Sequence, residues 1–271
     1  MTDLSAADRL DLNACDREPI HVPEAIQPHG LLFVVDPADL TVRREAGRIA
    51  RITGAETWIG RALDGLLGDR AMNPLRAGGP AEAGFVTRWR GVDSLDYDVI
   101  ARPQGADLII EIEQSSQGAL PGIELISRID AAGAAFERAS SVRAVCESAA
   151  EAFRALTGFD RIMIYRFLDD EAGQVVAESR SLEVESFRNH HFPATDIPRQ
   201  ARALYVRNPV RVIPDARYTP EPLRPASPDG LLDMSDCGLR SVSPVHLKYL
   251  ENMGVRASAS VSIIVDGELW G

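Results

Sequence analysis

Only three cysteines occur in the 271 residues, Cys15, Cys146 and Cys237. They are odd in number, widely spaced and outside any metal-ligand pattern, which argues against a disulfide framework and a cysteine-based metal site. No apolar run approaches the ~20 residues that span a bilayer. The N-terminus, MTDLSAADRLDLN, lacks the basic and apolar regions of a signal peptide, so the expected compartment is the cytosol. Positive charge is in deficit: 29 Lys and Arg against 40 Asp and Glu leave −11, which argues against nucleic acid or an anionic membrane as main partner. Catalytic signatures are missing as well, with no Gly-x-Ser-x-Gly, P-loop, HExxH or dinucleotide-binding glycine fingerprint. Adjacent His190 and His191 make a poor metal site, because their side chains diverge in extended chain and no third ligand is near in sequence.

What is present reads as a two-domain α+β protein, 45% hydrophobic and 25% charged. Residues 1–20 form a polar N-terminal segment. A first domain over 21–118 has a strand at Leu31–Val35, short helices over Ile49–Leu67, and strands at Phe85–Arg90, Leu95–Arg102 and Leu108–Glu113. Residues 115–122, SSQGALPG, read as a linker. The second domain, 123–271, opens with a helix at Ile123–Phe136 and another capped by Ser141 and stopped by Gly158. Their apolar stripes suit either the core or a subunit contact. Cys146 lies in the second helix near its apolar stripe of Val142, Val145, Ala149 and Phe153, as a buried structural thiol. Strands follow at Arg161–Phe167 and Gln174–Glu178, then a long proline-rich loop after Pro214. A helix begins at Ser243 and Pro244, and strict alternation over Val255–Val265 predicts one strand closed by the Asp266-Gly267 turn. A return strand barely begun at Gly271 implies a truncated chain.

Four features carry chemistry. In FPATDIPRQARALYVRNPVR the prolines stiffen an extended span, after which Thr195 or Asp196 caps a helix. An acid near exposed carbonyls, followed by arginines, suits a ligand with a cationic centre and anionic arms. Ser258, Ser260 and Ser262 share one side of their strand, ordinarily the solvated face, and His246 with Tyr249 occupy one face of the preceding helix. Arg211 and Arg240 flank the long loop, and a guanidinium binds carboxylates bidentately. Cys15 lies outside any periodic core pattern, so it is the thiol expected to be accessible and usable as a nucleophile once deprotonated.

Taken together, ACDREPIHVPEAIQPHG, FPATDIP with ARALYVRNPVR, and LRSVSPVHLKYLENMGVRASASVSIIVDGELWG resemble the chromophore-binding module of bacteriophytochromes, collinearly from Cys15 to Gly271. The resemblance implies a PAS domain followed by a GAF domain, joined by a figure-of-eight knot with the loop around Arg217–Asp236 as its lasso. It implies a red and far-red photoreceptor holding the linear tetrapyrrole biliverdin IXα through a thioether to Cys15, the input part of a sensor histidine kinase and not itself an enzyme. By the same resemblance, Asp196 offers its main-chain carbonyl to the pyrrole nitrogens, Ile197 and Pro198 pack on the rings, and His246 completes the pyrrole network. Arg211, Arg240, Tyr205, Ser243, Ser258 and Ser260 match the propionate-binding group. Met163, Tyr165, Phe192 and Tyr249 surround the D-ring. Val245 stands where plant and cyanobacterial relatives carry their attachment cysteine, which favours biliverdin and Cys15, and Cys237 is incidental. The full-length protein is expected to dimerise, with its phytochrome-specific and output domains beyond this chain. Two other readings stay open on residues alone: a PAS-GAF sensor of another small ligand such as a cyclic nucleotide, and a thiol enzyme pairing Cys15 with His21.

Overall fold

The computed structural model describes residues 18–76, 84–115, 121–226 and 230–271. Cys15 and the N-terminal segment through Arg17 lie outside the described residues, as do 116–120 of the expected linker. In chain order the strands are β1 (Ala25–Ile26), β2 (Gly30–Val35), β3 (Val42–Gly47), β4 (Gly84–Arg90), β5 (Asp96–Gln104), β6 (Asp107–Gln114), β7 (Arg161–Phe167), β8 (Gly173–Arg180), β9 (His191–Phe192), β10 (Val210–Ile213), β11 (Glu221–Pro222), β12 (Ser258–Val261), β13 (Ile264–Val265) and β14 (Glu268–Leu269). The helices are α1 (Ile49–Thr53), α2 (Asp64–Leu67), α3 (Asp69–Arg76), α4 (Gly122–Arg138), α5 (Val142–Thr157), α6 (Arg199–Arg207) and α7 (Pro244–Asn252). Two compact units cross the linear order of the chain: residues 18–115 with 210–261, and 121–209 with 262–271.

The first unit is built on a five-stranded antiparallel sheet ordered β3-β2-β6-β5-β4. Its β2, GLLFVV, is buried throughout, and the reason is that both faces of the sheet are covered. Leu31, Phe33 and Val35 join Ile110, Ile112 and helix residues such as Ile49 and Met72 in one core. Leu32, Val34 and Ile109 face a second core made with Ile26, Leu223, Met234, Cys237 and Leu239. The long loop therefore lies on the sheet as an apolar lid, and residues 24–27 run between two of its segments. β1 pairs with β11. On the other side Gln27 N donates to Leu239 O at 2.8 Å and Ser241 N donates to Ala25 O at 2.9 Å.

The same packing explains β3, VRREAG, a strand that periodicity does not reveal. Its Arg44 and Glu45 are buried because the loop adds partners to those that Glu24, Thr57 and Trp58 already supply. Arg44 Nε donates to Pro225 O at 2.8 Å. Glu45 accepts from Thr57 Oγ1 and Trp58 N, each at 2.8 Å, and from Arg224. Helix α3 is equally unexpected, since it carries Pro74 inside it; Ala71, Met72 and Leu75 on its buried side hold it down.

The second unit has a three-stranded antiparallel sheet, β7-β8-β9. Helix α5 starts and stops where expected: Ser141 Oγ accepts from Ala144 N, and Gly158 takes a left-handed φ of 72°. It lays Cys146 and Ala150 against Ile164 and Ala177. Helix α4 buries no residue, and Ile123, Ile126 and Ile129 are exposed; α5 enters this core through Cys146 and Ala150, with Ala149 alone from its expected stripe beside them and Val142 exposed. The single strand expected over 255–265 is two pieces, β12 and β13. Between them Ser262 N turns to Pro209 O and Ile263 N to Gly271 O, which breaks the alternation. The hairpin of β13 and β14 turns at Asp266 and Gly267, both at positive φ, as the Asp-Gly pair demands. No described helix is long and apolar enough to cross a membrane.

Candidate functional site

In the second unit, β7 sends Ile162 and Ile164 to the core side. Period-two alternation puts Met163, Tyr165 and Phe167 on the opposite face. Tyr165 meets Phe167 edge-on at 5.3 Å and Phe192 at 6.0 Å, and Phe192 meets Phe187 at 6.0 Å. Gly173 makes this cluster possible. A Cβ there would stand 1.7 Å from the Cζ and hydroxyl of Tyr165, so no other residue type leaves the ring its place. Burial pushes the Tyr165 phenol up, the charge of Asp196 adds to that, and Arg202 opposes it. The phenol stays neutral at pH 7 and remains a donor.

The Asp-Ile-Pro segment follows a single 3₁₀ turn over Ala194–Asp196. The expected N-cap position is corrected here: it is Pro198 that occupies it at the start of α6, with no capping bond from its own side chain. Pro198 drives Ile197 into extended conformation (φ −127°, ψ 91°), which moves the helix start past Thr195 and Asp196. The segment is held instead by Arg202, whose role sequence reading missed. Its Nε donates to Ile197 O at 2.8 Å; its Nη2 donates to Glu171 O at 2.7 Å and Ala194 O at 3.1 Å. The guanidinium also lies over the Phe167 ring at 4.7 Å. Tyr205, one turn further along α6, is fixed through its carbonyl by Ser262 Oγ at 2.8 Å.

In the first unit, β10 and β12 pair with Arg211 opposite Ser260 and Ile213 opposite Ser258. Ser258 and Ser260 are the sheltered residues of β12, whereas Ala259 and Val261 are exposed. The serine row is thus not the solvated face, because directly paired residues share a side and that side carries Arg211 and buried Ile213. Arg211 donates through Nη1 to Gly238 O at 2.9 Å and through Nη2 to Arg240 O. Arg240 is itself buried and donates to Ile20 O at 2.5 Å. Ser243 Oγ accepts from Val245 N at the start of α7 and bonds Glu18 Oε2 at 2.5 Å. The rings of His246 and Tyr249 stack at 6.1 Å with planes 14° apart. Burial, then the Arg211 charge, lowers the His246 pKa, so the imidazole is neutral at pH 7, one nitrogen donating and one accepting.

The expected residues therefore gather in two groups. Met163, Tyr165, Phe192, Asp196, Ile197, Pro198 and Tyr205 belong to one unit; Arg211, Arg240, Ser243, His246, Tyr249, Ser258 and Ser260 belong to the other. Phe167, Phe187, Gly173 and Arg202 were not anticipated. Only Arg202 left a trace, as one of the arginines that follow Asp196, and the sequence does not set it apart from Arg199 or Arg207. Cys237 is wholly buried and its thiol pushed well up by burial, as a core residue would be; burial raises the Cys146 thiol too.

The family model for the PAS fold matches residues 15–115, and that for the GAF domain matches 141–271. A bacteriophytochrome of Xanthomonas campestris pv. campestris is 38% identical over 98% of this chain and 43% of its own length. One of Pseudomonas aeruginosa is 38% identical over 97% of this chain and 36% of its own. This chain thus spans about two fifths of the curated relatives it matches. Among solved structures, the chromophore-binding domain of a Stigmatella aurantiaca bacteriophytochrome superposes with a TM-score of 0.86 at 40% identity, covering 95% of this chain and 88% of that one. The corresponding domain of an R. palustris bacteriophytochrome gives 0.87 at 37% identity, covering 95% and 86%. With PAS and GAF folds in this order and likeness along nearly its whole length, the chain belongs to the bacteriophytochrome family.

Proposed function

We propose that this chain is the light-sensing module of a bacteriophytochrome, binding biliverdin IXα through a thioether to Cys15. The observation that carries the reading is the serine row of β12, turned to its sheltered side in register with Arg211. Half-buried hydroxyls beside a guanidinium suit a ligand bearing carboxylates, such as the propionates of a bilin. The ring cluster on Tyr165 and the Asp-Ile-Pro turn suit its apolar, cationic remainder.

Each group then has a task. Arg211, Arg240, Tyr205, Ser243, Ser258 and Ser260 bind the propionates. The carbonyl of Asp196 accepts from the pyrrole N–H groups, its carboxylate keeps a buried cation protonated, and neutral His246 completes the hydrogen-bond set. Ile197 and Pro198 exclude water from the rings, and Met163, Tyr165, Phe192 and Tyr249 wall the D-ring. The bound pigment supplies light absorption and isomerisation at its C15=C16 bond. Asp196 and the propionate arginines register the change by exchanging hydrogen-bond partners.

PAS over 21–118 and GAF over 123–271 are the proposed domains. Residues 24–27, flanked on both sides by the loop, support the figure-of-eight knot. The exposed apolar side chains of α4 support homodimerisation in the full-length protein, which we place in the cytosol as a sensor histidine kinase whose input is this module.

The test is titration with biliverdin followed by red illumination. A far-red absorbance band should form, and Asp196→Ala or His246→Ala should keep the pigment while weakening its protonation or photoconversion. No far-red band in the wild type, or an unchanged photocycle in both variants, overturns the assignment.

A further inference from the structure

Glu111 is a carboxylate in the middle of a sheet, only 2% exposed. It stands on β6 between Leu32 of β2 and Ile100 of β5, on the face that the long loop covers. Burying a charge there is costly, and an apolar residue would fill the space more cheaply. Three donors converge on it: Leu239 N at 2.7 Å, Gly238 N at 3.2 Å and Arg102 Nη2 at 3.2 Å. Burial raises its pKa, against the opposing pull of Arg102 and the two backbone N–H groups.

The tripeptide that Glu111 grips, Gly238-Leu239-Arg240, is the one that Arg211 uses. Its N–H groups at 238 and 239 donate to Glu111, and its carbonyls at 238 and 240 accept from Arg211. Its last residue supplies the second guanidinium, Arg240. An unbroken chain of polar contacts thus runs from Arg102 through Glu111 and the loop backbone to Arg211.

We propose that Glu111 is a positioning residue for the ligand-binding arginines: by holding Gly238-Leu239-Arg240 from the PAS sheet, it orients Arg211 and Arg240 toward a carboxylate-bearing ligand. The proposal rests on the bilin reading above for the identity of that ligand.

The experiment uses Glu111→Gln in a Cys15→Ser background, which keeps binding reversible, with Glu45→Gln as control because Glu45 anchors the same loop at Arg224. Without pigment, Glu111→Gln should speed hydrogen exchange at the amides of 238 and 239 and shift the Arg211 side-chain Nε–H resonance. Glu45→Gln should do neither. With pigment, Glu111→Gln should weaken biliverdin binding by roughly tenfold, the size of one charge-assisted bond. It should leave biliverdin dimethyl ester, which lacks free carboxylates, unaffected. Unchanged exchange and Arg211 signal, or equal weakening for acid and ester, overturns the proposal. If the parent protein binds no biliverdin, the bilin reading fails, while the pigment-free measurements still decide the role of Glu111. Should Glu111→Gln not fold, Glu111→Asp, which withdraws the acceptor by one methylene, serves the same comparison.

Discussion

Arg202→Met removes the clamp on the Asp-Ile-Pro segment while keeping a long apolar side chain over Phe167. Three hydrogen bonds vanish, to the carbonyls of Ala194, Ile197 and Glu171, from a guanidinium whose side chain is 16% exposed. Charge-assisted bonds contribute about 1.5–3 kcal/mol each, so simple addition gives about 4.5–9 kcal/mol. That sum overshoots, because freed carbonyls near the surface regain water. A loss of about 3 kcal/mol is expected, roughly 150-fold in the folding equilibrium. The ion pair to Glu171 contributes little: it is 3.8 Å long and the acid is 39% exposed, where such pairs give about 0–1 kcal/mol. Hence Glu171→Gln should cost under ~1 kcal/mol, and Arg202→Lys, whose single ammonium cannot span three carbonyls, should recover little. Urea unfolding at constant slope measures all three. A loss below ~1 kcal/mol for Arg202→Met, or an equal loss for Glu171→Gln, would refute the claim that backbone carbonyls, not the acid, are what Arg202 is for.

Gly173→Ala should destabilise by about 1–3 kcal/mol as the new methyl displaces the Tyr165 ring. Near-UV circular dichroism should report the ring movement, and an unchanged spectrum with unchanged stability contradicts it. His246 should titrate below 6.5 by NMR in the pigment-free protein, since burial and Arg211 both disfavour its charge. Because the folded state then binds fewer protons than the unfolded one, its contribution to stability is present above pH ~6.5 and falls as pH drops toward the folded pKa. His246→Gln should flatten that slope, and a midpoint at or above 6.5 contradicts the assignment.

Several elements were legible because their causes are local. The apolar run of β2, the Ser141 cap with its Gly158 stop, the Ser243-Pro244 helix start and the Asp266-Gly267 turn each carry their signal within a few residues. Elements with distant causes were not. Strand β3 looks like a charged loop until Arg224 and Pro225 arrive to satisfy Glu45 and Arg44. The serines of β12 look solvated until β10 pairs with them and sets Arg211 and Ile213 on the same side. Asp196 looks like a cap, but the restriction that Pro198 imposes on Ile197 moves the helix start beyond it. At the candidate site, residue types with distinctive chemistry could be named from their motifs, whereas Gly173 and Arg202 act through steric space and backbone carbonyls, which no motif records.

The most direct measurement is the intact mass of denatured protein after incubation with biliverdin, comparing wild type with Cys15→Ser. The expected result is one added bilin on the wild type, localised by digestion to the peptide containing residue 15, and none on the variant. An unmodified wild type, or an adduct that survives in Cys15→Ser, contradicts a pigment tethered from the N-terminal segment.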